Sequence, residues 1–204
     1  EFAGALFREM RGMRRLWQGA STVASILDLD LLDTAVASGL RSLFVGFESL
    51  NEAALASHHK SHNRFRDYEN AVRALHERGV MINASFVFGL DSDDPSVFKA
   101  TVDWAVEMGL ETATFHILTP YPGTPLFDRL DRQGRIVSRD WDLYDTRHLV
   151  FSHPIMSRET VESGYRLAYE RFYSLSSIWR SAWHEGTSMG LLRHLAYTAA
   201  WKKT

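Results

Sequence analysis

The sequence predicts an α/β fold: a partial (β/α) barrel of about four parallel strands, followed by a mostly helical C-terminal extension. Three apolar runs indicate this fold, because each stops at a polar or glycine-rich turn, and they cover residues 41–49, 81–91 and 112–125. Helical patterns lie between the runs, and this alternation is typical of a parallel sheet with right-handed crossovers. Since the carboxyl ends of parallel strands share one rim, we expect a small-molecule site there.

The N-terminal elements follow from the spacing of their apolar residues. One helical face is predicted by Phe2, Leu6, Phe7, Met10 and Met13. A short strand is predicted over residues 15–21, and a helix over residues 28–38 is stopped by Gly39. The next strand is predicted over residues 42–47.

Further helices and two more strands complete the predicted barrel. Asn51 suits the cap of a short helix, and a longer helix is predicted over residues 64–78, before a strand over residues 80–88. The Asp-Pro pair at residues 94–95 starts another helix, because a carboxylate caps a first turn and proline fits its first position. The last strand of the series covers residues 112–118.

The pattern changes after the last strand, and we divide the chain there. Residues 1–127 are expected to form the C-terminal part of the barrel and residues 128–204 the helical extension, whose main helix Ser157 caps. Residues 175–204 place tryptophan and leucine beside arginine and lysine, as amphipathic helices do. They are expected to pack on the barrel or on another part of the protein, with peripheral contact to a membrane surface as the alternative.

Composition excludes several classes of function. The chain has 204 residues and a formal net charge of -2, so it lacks the basic character expected of a nucleic-acid partner. It contains 0 cysteines, so it has no disulfide, no thiolate zinc site and no thiolate ligand for an iron-sulfur cluster. No apolar stretch approaches the roughly 20 residues of a membrane span. We expect a cytoplasmic protein.

Two turns offer polar groups for a ligand. Glu48 and Ser49 end a strand; the carboxylate suits the vicinal hydroxyls of a ribose, and capping of the following helix is the equal alternative. The rigid, proline-rich heptad at residues 119–125 is expected to present Tyr121 and Thr124 to a substrate.

Acidic and histidine clusters suggest metal sites only weakly. Asp91, Asp93 and Asp94 follow Gly89, and we expect Asp93 and Asp94 to cap the next helix rather than bind a metal. The cluster from His58 to His62 is interpreted as a solvated loop. His116, inside a predicted strand, is expected to be a hydrogen-bonded core residue rather than a base. We predict no metal ligands in this chain.

Taken in order, LFVGFES (residues 43–49), SFVFGLD (85–91) and FHILTPYPGTPL (115–126) resemble the radical S-adenosylmethionine enzymes. The most similar group is the cobalamin-binding type with a helical C-terminal extension, and RDWDLY at residues 139–144 continues the likeness. That family holds a 4Fe-4S cluster on a three-cysteine loop, which this chain lacks. The resemblance therefore implies that the chain is a fragment, and that the cluster-binding part and any cobalamin domain belong to an N-terminal remainder of the same protein.

The resemblance also implies roles for individual residues. The implied cofactor-binding residues are Glu48 and Ser49 for the ribose, Phe88, Gly89, Ile117 and Leu118 for the adenine, and Gln18 and Ser21 for the pocket wall. The implied cofactors are S-adenosylmethionine, a 4Fe-4S cluster with ligands outside this chain and, in the cobalamin-binding group, cobalamin. The implied chemistry is reductive cleavage of S-adenosylmethionine, followed by hydrogen abstraction or cobalamin-assisted methyl transfer on a small-molecule, apolar substrate.

Two other interpretations stay open. Without cysteines this chain alone is expected to be inactive or poorly soluble. The main alternative is a non-catalytic α/β binding or interaction module. An aldolase-like barrel with Glu48 as general base needs a lysine or metal pair at the rim, whereas Lys60 and Lys99 fall in a predicted loop and a predicted helix.

Overall fold

The structure is a computed structural model that describes residues 2–50 and 61–183, with residues 61–64 described by backbone alone. Its sheet has four parallel strands in the order β1–β2–β3–β4. They are β1 (Trp17–Ser21), β2 (Leu40–Glu48), β3 (Met81–Phe88) and β4 (Thr112–Ile117). The predicted fold class, with helices between the strands and after them, is confirmed.

Eight helices are present in the described part of the chain. They are α1 (Phe2–Met10), α2 (Val23–Ile26), α3 (Leu29–Ala37), α4 (Ser61–Glu77), α5 (Ser96–Glu107), α6 (Pro125–Arg132), α7 (Arg158–Phe172) and α8 (Leu175–Trp183). Short 3-10 turns cover Arg11–Met13 and Trp141–Leu143. The helix expected after Asn51, the histidine cluster from His58 to His62 and residues 184–204 of the amphipathic tail lie outside the residues whose structure is described.

Local side-chain chemistry sets the helix ends. A carboxylate oxygen of Asp28 accepts the N–H of Leu31 at the start of α3, and Ser157 caps α7 in the same way, as predicted. Gly39 ends the α3 segment with φ 110, and a Cβ there would overlap the carbonyl of Arg15. Only glycine therefore fits the turn from α3 into β2.

The strands place apolar rings on one face of the sheet and polar groups on the other. On the helix-covered face Phe47, Phe86 and Phe115 stack in a row across three strands, with ring centroids 5.8 and 5.7 Å apart. We call the other face the polar face. On it Gly46, Ser85 and Thr114 lie side by side on β2, β3 and β4, and the next row towards the carboxyl ends pairs Val87 with His116. The predicted binding rim is formed by the carboxyl ends of the strands.

The extension seals the outer edge of β4. The hydroxyl group of Tyr173 accepts the N–H of Ala113 (3.2 Å) and donates to its carbonyl (3.0 Å). Tyr169 bonds in the same way to Phe115, at 3.0 and 3.2 Å. These bonds occupy backbone groups with which a fifth strand would pair. On the opposite edge, β1 has no outer strand partner among the described residues.

The extension and the strands share one apolar core. Gly164 of α7 lies against the ring of Phe98 of α5, so closely that any side chain at position 164 would collide with it. Extension residues in the common core are Leu130, Leu149, Phe151, Met156, Val161, Ala168 and Phe172. The proposed division at residue 127 stays a prediction. Within the described residues, no helix has both the length and the apolar character to cross a membrane.

Candidate functional site

Glu48 is the last residue of β2, and a bulge sets its orientation. The pairing of β2 with β3 is regular up to Gly46 and then shifts, so that Glu48 stands opposite Phe86. Glu48 adopts the left-handed conformation with φ 61. This turn brings its carboxyl group back over Gly46, where a Cβ atom would overlap Oε1. The carboxyl group therefore lies on the polar face, beside the rim.

The Glu48 carboxyl group is unusual in three ways. A positive φ is uncommon for residues other than glycine. Although the residue is exposed overall, partial burial of its carboxyl group raises the pKa of that group. No side chain or backbone group among the described residues forms a hydrogen bond or ion pair with it. A positive φ, a raised pKa and a carboxyl group without a partner among the described residues are together typical of a binding site.

The ends of β3 and β4 meet at Gly89 and Leu118. Leu118 donates its N–H to the carbonyl of Phe88 at 2.8 Å, and Gly89 has φ 90. A Cβ atom at Gly89 would stand 3.9 Å from the Leu118 nitrogen. Glu48, Gly89 and Leu118 thus lie at the same end of three neighbouring parallel strands, as the sequence predicts.

Two of the predicted adenine contacts are available only through the backbone. The ring of Phe88 is buried on the helix-covered face, 4.8 Å from the ring of Phe98 and 5.6 Å from that of Phe115. The side chain of Ile117 is also in the core, and its N–H donates to the carbonyl of Thr146 at 2.7 Å. At these two positions a ligand can meet only main-chain atoms.

Asp93 holds the turn after β3 rather than capping the next helix. One oxygen of its fully buried carboxylate accepts the N–H groups of Gly89 and Leu90, both at 3.0 Å. The expectation that Asp93 caps a helix is wrong, because its carboxylate binds the amides at the end of β3 and the N-cap residue of α5 makes no side-chain capping bond. Asp94 does serve α5, through the N–H of Ser96 at 2.7 Å.

The extension fixes the same turn from the other side. His153 Nε2 lies 2.8 Å from the Leu90 carbonyl, while Nδ1 accepts the N–H groups of Ile155 and Met156. These bonds require the neutral tautomer that donates from Nε2.

An ion pair occupies the remaining acidic residue of this turn. Arg135 binds both oxygens of Asp91, at 3.0 and 2.6 Å, and this contact lowers the pKa of Asp91. Within the described part of the chain no group of three or more His, Asp or Glu residues could hold a metal ion.

The other predicted site residues lie farther from the strand-end groups or have other partners. Ser49 is buried beyond Glu48, and Gln18 is exposed on β1. Ser21 and Glu48 line a common cavity of about 630 Å³. Tyr121 is exposed, whereas the Thr124 hydroxyl accepts the Phe127 N–H and donates to the Tyr121 carbonyl. Because those bonds cap α6, Thr124 has a structural role that the sequence did not predict.

A second cavity was missed by the sequence analysis. It has a volume of about 810 Å³ and lies beside β4, and we call it the β4 cavity; its lining is Thr114, Phe115, His116, Asp145, Thr146, Arg147, Tyr165, Tyr169, Glu170 and Tyr173. His116 does form the expected hydrogen bond, to Thr146, but its side chain is only half-buried and faces this cavity. Because side chains alternate between the two faces of a strand, His116 is on the same face as Thr114, and only this alternation could have indicated that His116 faces the cavity.

The fold and these strand-end groups define a class: a partial-barrel α/β protein with a candidate nucleoside site at the carboxyl rim. No protein-family model matches the chain. It is 33% identical over 172 residues to bacteriochlorophyllide d C-12(1)-methyltransferase of Chlorobaculum tepidum, covering 83% of this chain and 37% of that protein. It is 32% identical over 99 residues to hopanoid C-2 methylase of Rhodopseudomonas palustris, covering 48% of this chain and 19% of that protein.

Solved structures share the fold. The radical S-adenosylmethionine methyltransferase TsrM of Kitasatospora setae, with cobalamin and a [4Fe-4S] cluster bound, matches with a TM-score of 0.57 at 18% identity. The match covers 83% of this chain and 34% of that chain. TsrM with tryptophan substrate and a SAM analogue matches with a TM-score of 0.56 at 22% identity, covering 64% of this chain and 27% of that chain.

These relationships confirm the resemblance found in the motifs: the chain belongs to the radical S-adenosylmethionine enzymes. It spans between a fifth and about a third of the length of the relatives described here.

Proposed function

We propose that this chain supplies the ribose- and adenine-binding half of the S-adenosylmethionine site in an enzyme for radical hydrogen abstraction or cobalamin-assisted methyl transfer. One observation supports this most strongly: the unpaired, desolvated carboxyl group of Glu48 on the polar face of β2. A carboxylate accepts two hydrogen bonds, so it can hold both hydroxyl groups of a ribose.

The strand ends suit the rest of a nucleoside. Gly46 leaves room for the Glu48 carboxyl group, because any side chain there would displace it. Gly89 lies one strand away from Glu48 and Leu118 two strands away, and their adjacent backbones offer main-chain atoms to a ligand. Adjacent strands lie about 4.8 Å apart, so two strand spacings give about 10 Å, which is comparable to the length of a nucleoside.

In this proposal the ribose, the adenine and the support of the adenine site are assigned to different residues. Glu48 binds the ribose and fixes its orientation. The backbone at Gly89 and Leu118 binds the adenine, and Asp93 and His153 keep that backbone in place through the bonds described above. When bound, S-adenosylmethionine supplies the methyl group or the radical chemistry, while the protein positions it.

The residues present do not fit an iron-sulfur cluster. Such clusters are held by cysteine thiolates, and the chain contains 0 cysteines. In our proposal the cluster ligands, and a cobalamin domain where one is used, belong to an N-terminal remainder of the same protein. That this chain is a fragment of a longer enzyme, and that it is cytoplasmic, stay predictions.

We propose a small-molecule substrate. Relatives and fold neighbours act on bacteriochlorophyllide d or are described with tryptophan as substrate. The absence of cysteine favours the second candidate function, a non-catalytic α/β binding module. Binding of S-adenosylmethionine separates the two candidates, because the module has no need of it.

The test is a calorimetric titration of the full-length protein with S-adenosylmethionine. A hydrogen bond to a charged group contributes about 1.5 to 3 kcal/mol, so Glu48→Gln is expected to weaken binding roughly ten- to hundredfold. The matched control is Glu107→Gln, at an exposed carboxylate that ends α5. Equal affinity of the parent and Glu48→Gln would argue against the ribose role.

A further inference from the structure

The β4 cavity has a pre-arranged aromatic wall. The rings of Tyr165 and Tyr169 stand 5.2 Å apart at 70°, and those of Tyr169 and Tyr173 lie 6.3 Å apart at 13°. Since the hydroxyl groups of Tyr169 and Tyr173 are bound to the β4 edge, these two rings are held in place before a ligand arrives. The volume of about 810 Å³ lies within the usual range for small-molecule sites.

His116 provides a polar group opposite this wall. Its Nδ1 lies 3.2 Å from the hydroxyl oxygen of Thr146, while no described residue bonds to Nε2. Burial lowers the pKa of His116, which favours the neutral form of the imidazole. Nε2 can therefore form one hydrogen bond with a neutral group at the edge of a ligand ring.

Thr146 is held in a conformation that a β-branched residue rarely adopts. Its φ is 66, and its carbonyl accepts the N–H of Ile117 at 2.7 Å. The same residue meets His116 through its hydroxyl group. Backbone outliers of this kind concentrate at binding and active sites. The outlier thus lies between the β4 cavity and the strand end that carries the adenine contacts.

The cavity lining carries one guanidinium, that of Arg147, and two carboxylates, those of Asp145 and Glu170. Asp145 is already engaged, by His148 at 3.0 Å and by the backbone N–H of Arg147 at 2.9 Å. The guanidinium of Arg147 has no ion pair among the described residues. Burial is the main cause that raises the pKa of Tyr165 to about 12; the charge of Arg147 opposes this rise and that of Asp145 adds to it. Glu170 has no such influence on Tyr165 and is exposed.

We propose that the β4 cavity is the substrate site and that it binds a planar aromatic ring carrying an acidic substituent, a role that rests on the function proposed above. The ring packs on Tyr165 and Tyr169, its polar edge meets His116, and the acidic substituent meets Arg147. A guanidinium suits this last task because it pairs with a carboxylate in a fixed geometry.

Three probes test the parts of this proposal by ligand-observed NMR on the full-length protein. They are 2-naphthoic acid, which has ring and acid, 2-naphthamide, which has the ring alone, and cyclohexanecarboxylic acid, which has the acid alone. We expect 2-naphthoic acid to bind most tightly. Arg147→Gln should weaken its binding roughly three- to tenfold, since the guanidinium is exposed, and should leave 2-naphthamide unchanged.

Matched variants separate recognition from folding. Glu170→Gln should change binding of 2-naphthoic acid little, because Glu170 is exposed and does not act on Tyr165. Tyr165→Leu should weaken both ring probes, while Tyr165→Phe keeps the ring and should retain them. Arg166→Gln, at an exposed neighbour outside the cavity lining, is the control.

The proposal is overturned if neither ring probe shows saturable binding. It is also overturned if Arg147→Gln behaves like Arg166→Gln, or if 2-naphthamide binds as tightly as 2-naphthoic acid. Titration with S-adenosylmethionine is a separate measurement on Glu48. A failure of the ring probes therefore leaves the proposed cofactor role standing. A failure of the cofactor titration leaves ring binding in the β4 cavity measurable, but removes the reason to call that cavity a substrate site.

Discussion

The carboxyl group of Glu48 lies over the Cα atom of Gly46, in the space that a side chain at position 46 would fill. This relationship joins a β-bulge, a positive φ and a desolvated charge at one strand end. Bulges frequently redirect side chains next to active sites. We therefore expect the two residues to act as a unit in ligand binding.

Gly46→Ala should displace the Glu48 carboxyl group and weaken binding of S-adenosylmethionine at least tenfold. The fold should survive, since the colliding atom is the end of a flexible side chain and alanine suits a strand better than glycine by roughly 0.5 to 1 kcal/mol. Calorimetry on the single variants and on Gly46→Ala/Glu48→Ala measures the coupling. The double variant should bind no more weakly than Glu48→Ala.

The control for this cycle is Gly12→Ala, where an added Cβ meets nothing within 4 Å. Strictly additive losses at positions 46 and 48 would show that the two residues act independently.

Glu48→Gln should stabilise the ligand-free protein at neutral pH. Burial raises the pKa of Glu48 above its ordinary value of 4.5, so the folded state favours the protonated form. Its contribution is fully present below pH 4.5 and is lost as pH rises through the folded pKa. Because the residue is partly exposed, the gain should stay below about 0.5 kcal/mol.

Chemical denaturation at pH 4 and pH 7 measures this difference in the free energy of unfolding. If Glu48→Gln and the parent have the same free energy of unfolding at both pH values, burial does not raise the pKa of the Glu48 carboxyl group.

Tyr169→Phe should lower the free energy of unfolding by about 1 to 3 kcal/mol. The variant leaves the N–H and carbonyl of Phe115 without their bonds to the hydroxyl group, and unsatisfied backbone groups are costly. Thermal unfolding should show a fall of about 2 to 10 °C. Tyr121→Phe is the control, because its ring is exposed at 48%. Equal thermal unfolding midpoints for the two variants would contradict the proposal that Tyr169 stabilises the outer edge of β4.

Asp93→Ala should loosen the turn at Gly89 and weaken S-adenosylmethionine binding. It removes the acceptor for two N–H groups at the strand end, whereas Asp94→Ala removes only an exposed bond to Ser96. Hydrogen exchange at Gly89 and Leu90 should become faster in Asp93→Ala alone. Unchanged exchange at these amides would contradict the proposed support of the turn.

The sequence predicts the sheet well because local patterns determine it. Apolar runs that stop at polar or glycine-rich turns indicate β2, β3 and β4, and the cap at Asp28 is local too. The bulge at Glu48 depends on pairing with β3, so spacing alone does not show it. The β4 cavity depends on contacts between His116 and Thr146, which stand 30 residues apart. Such non-local contacts are invisible to periodicity.

The most direct measurement is a crystal structure of the full-length protein with S-adenosylmethionine. The central claim predicts the Glu48 carboxylate within about 2.5 to 3.0 Å of both ribose hydroxyl oxygens, with the adenine against the backbone of Gly89 and Leu118. A ribose bound elsewhere, with Glu48 facing solvent, would contradict it.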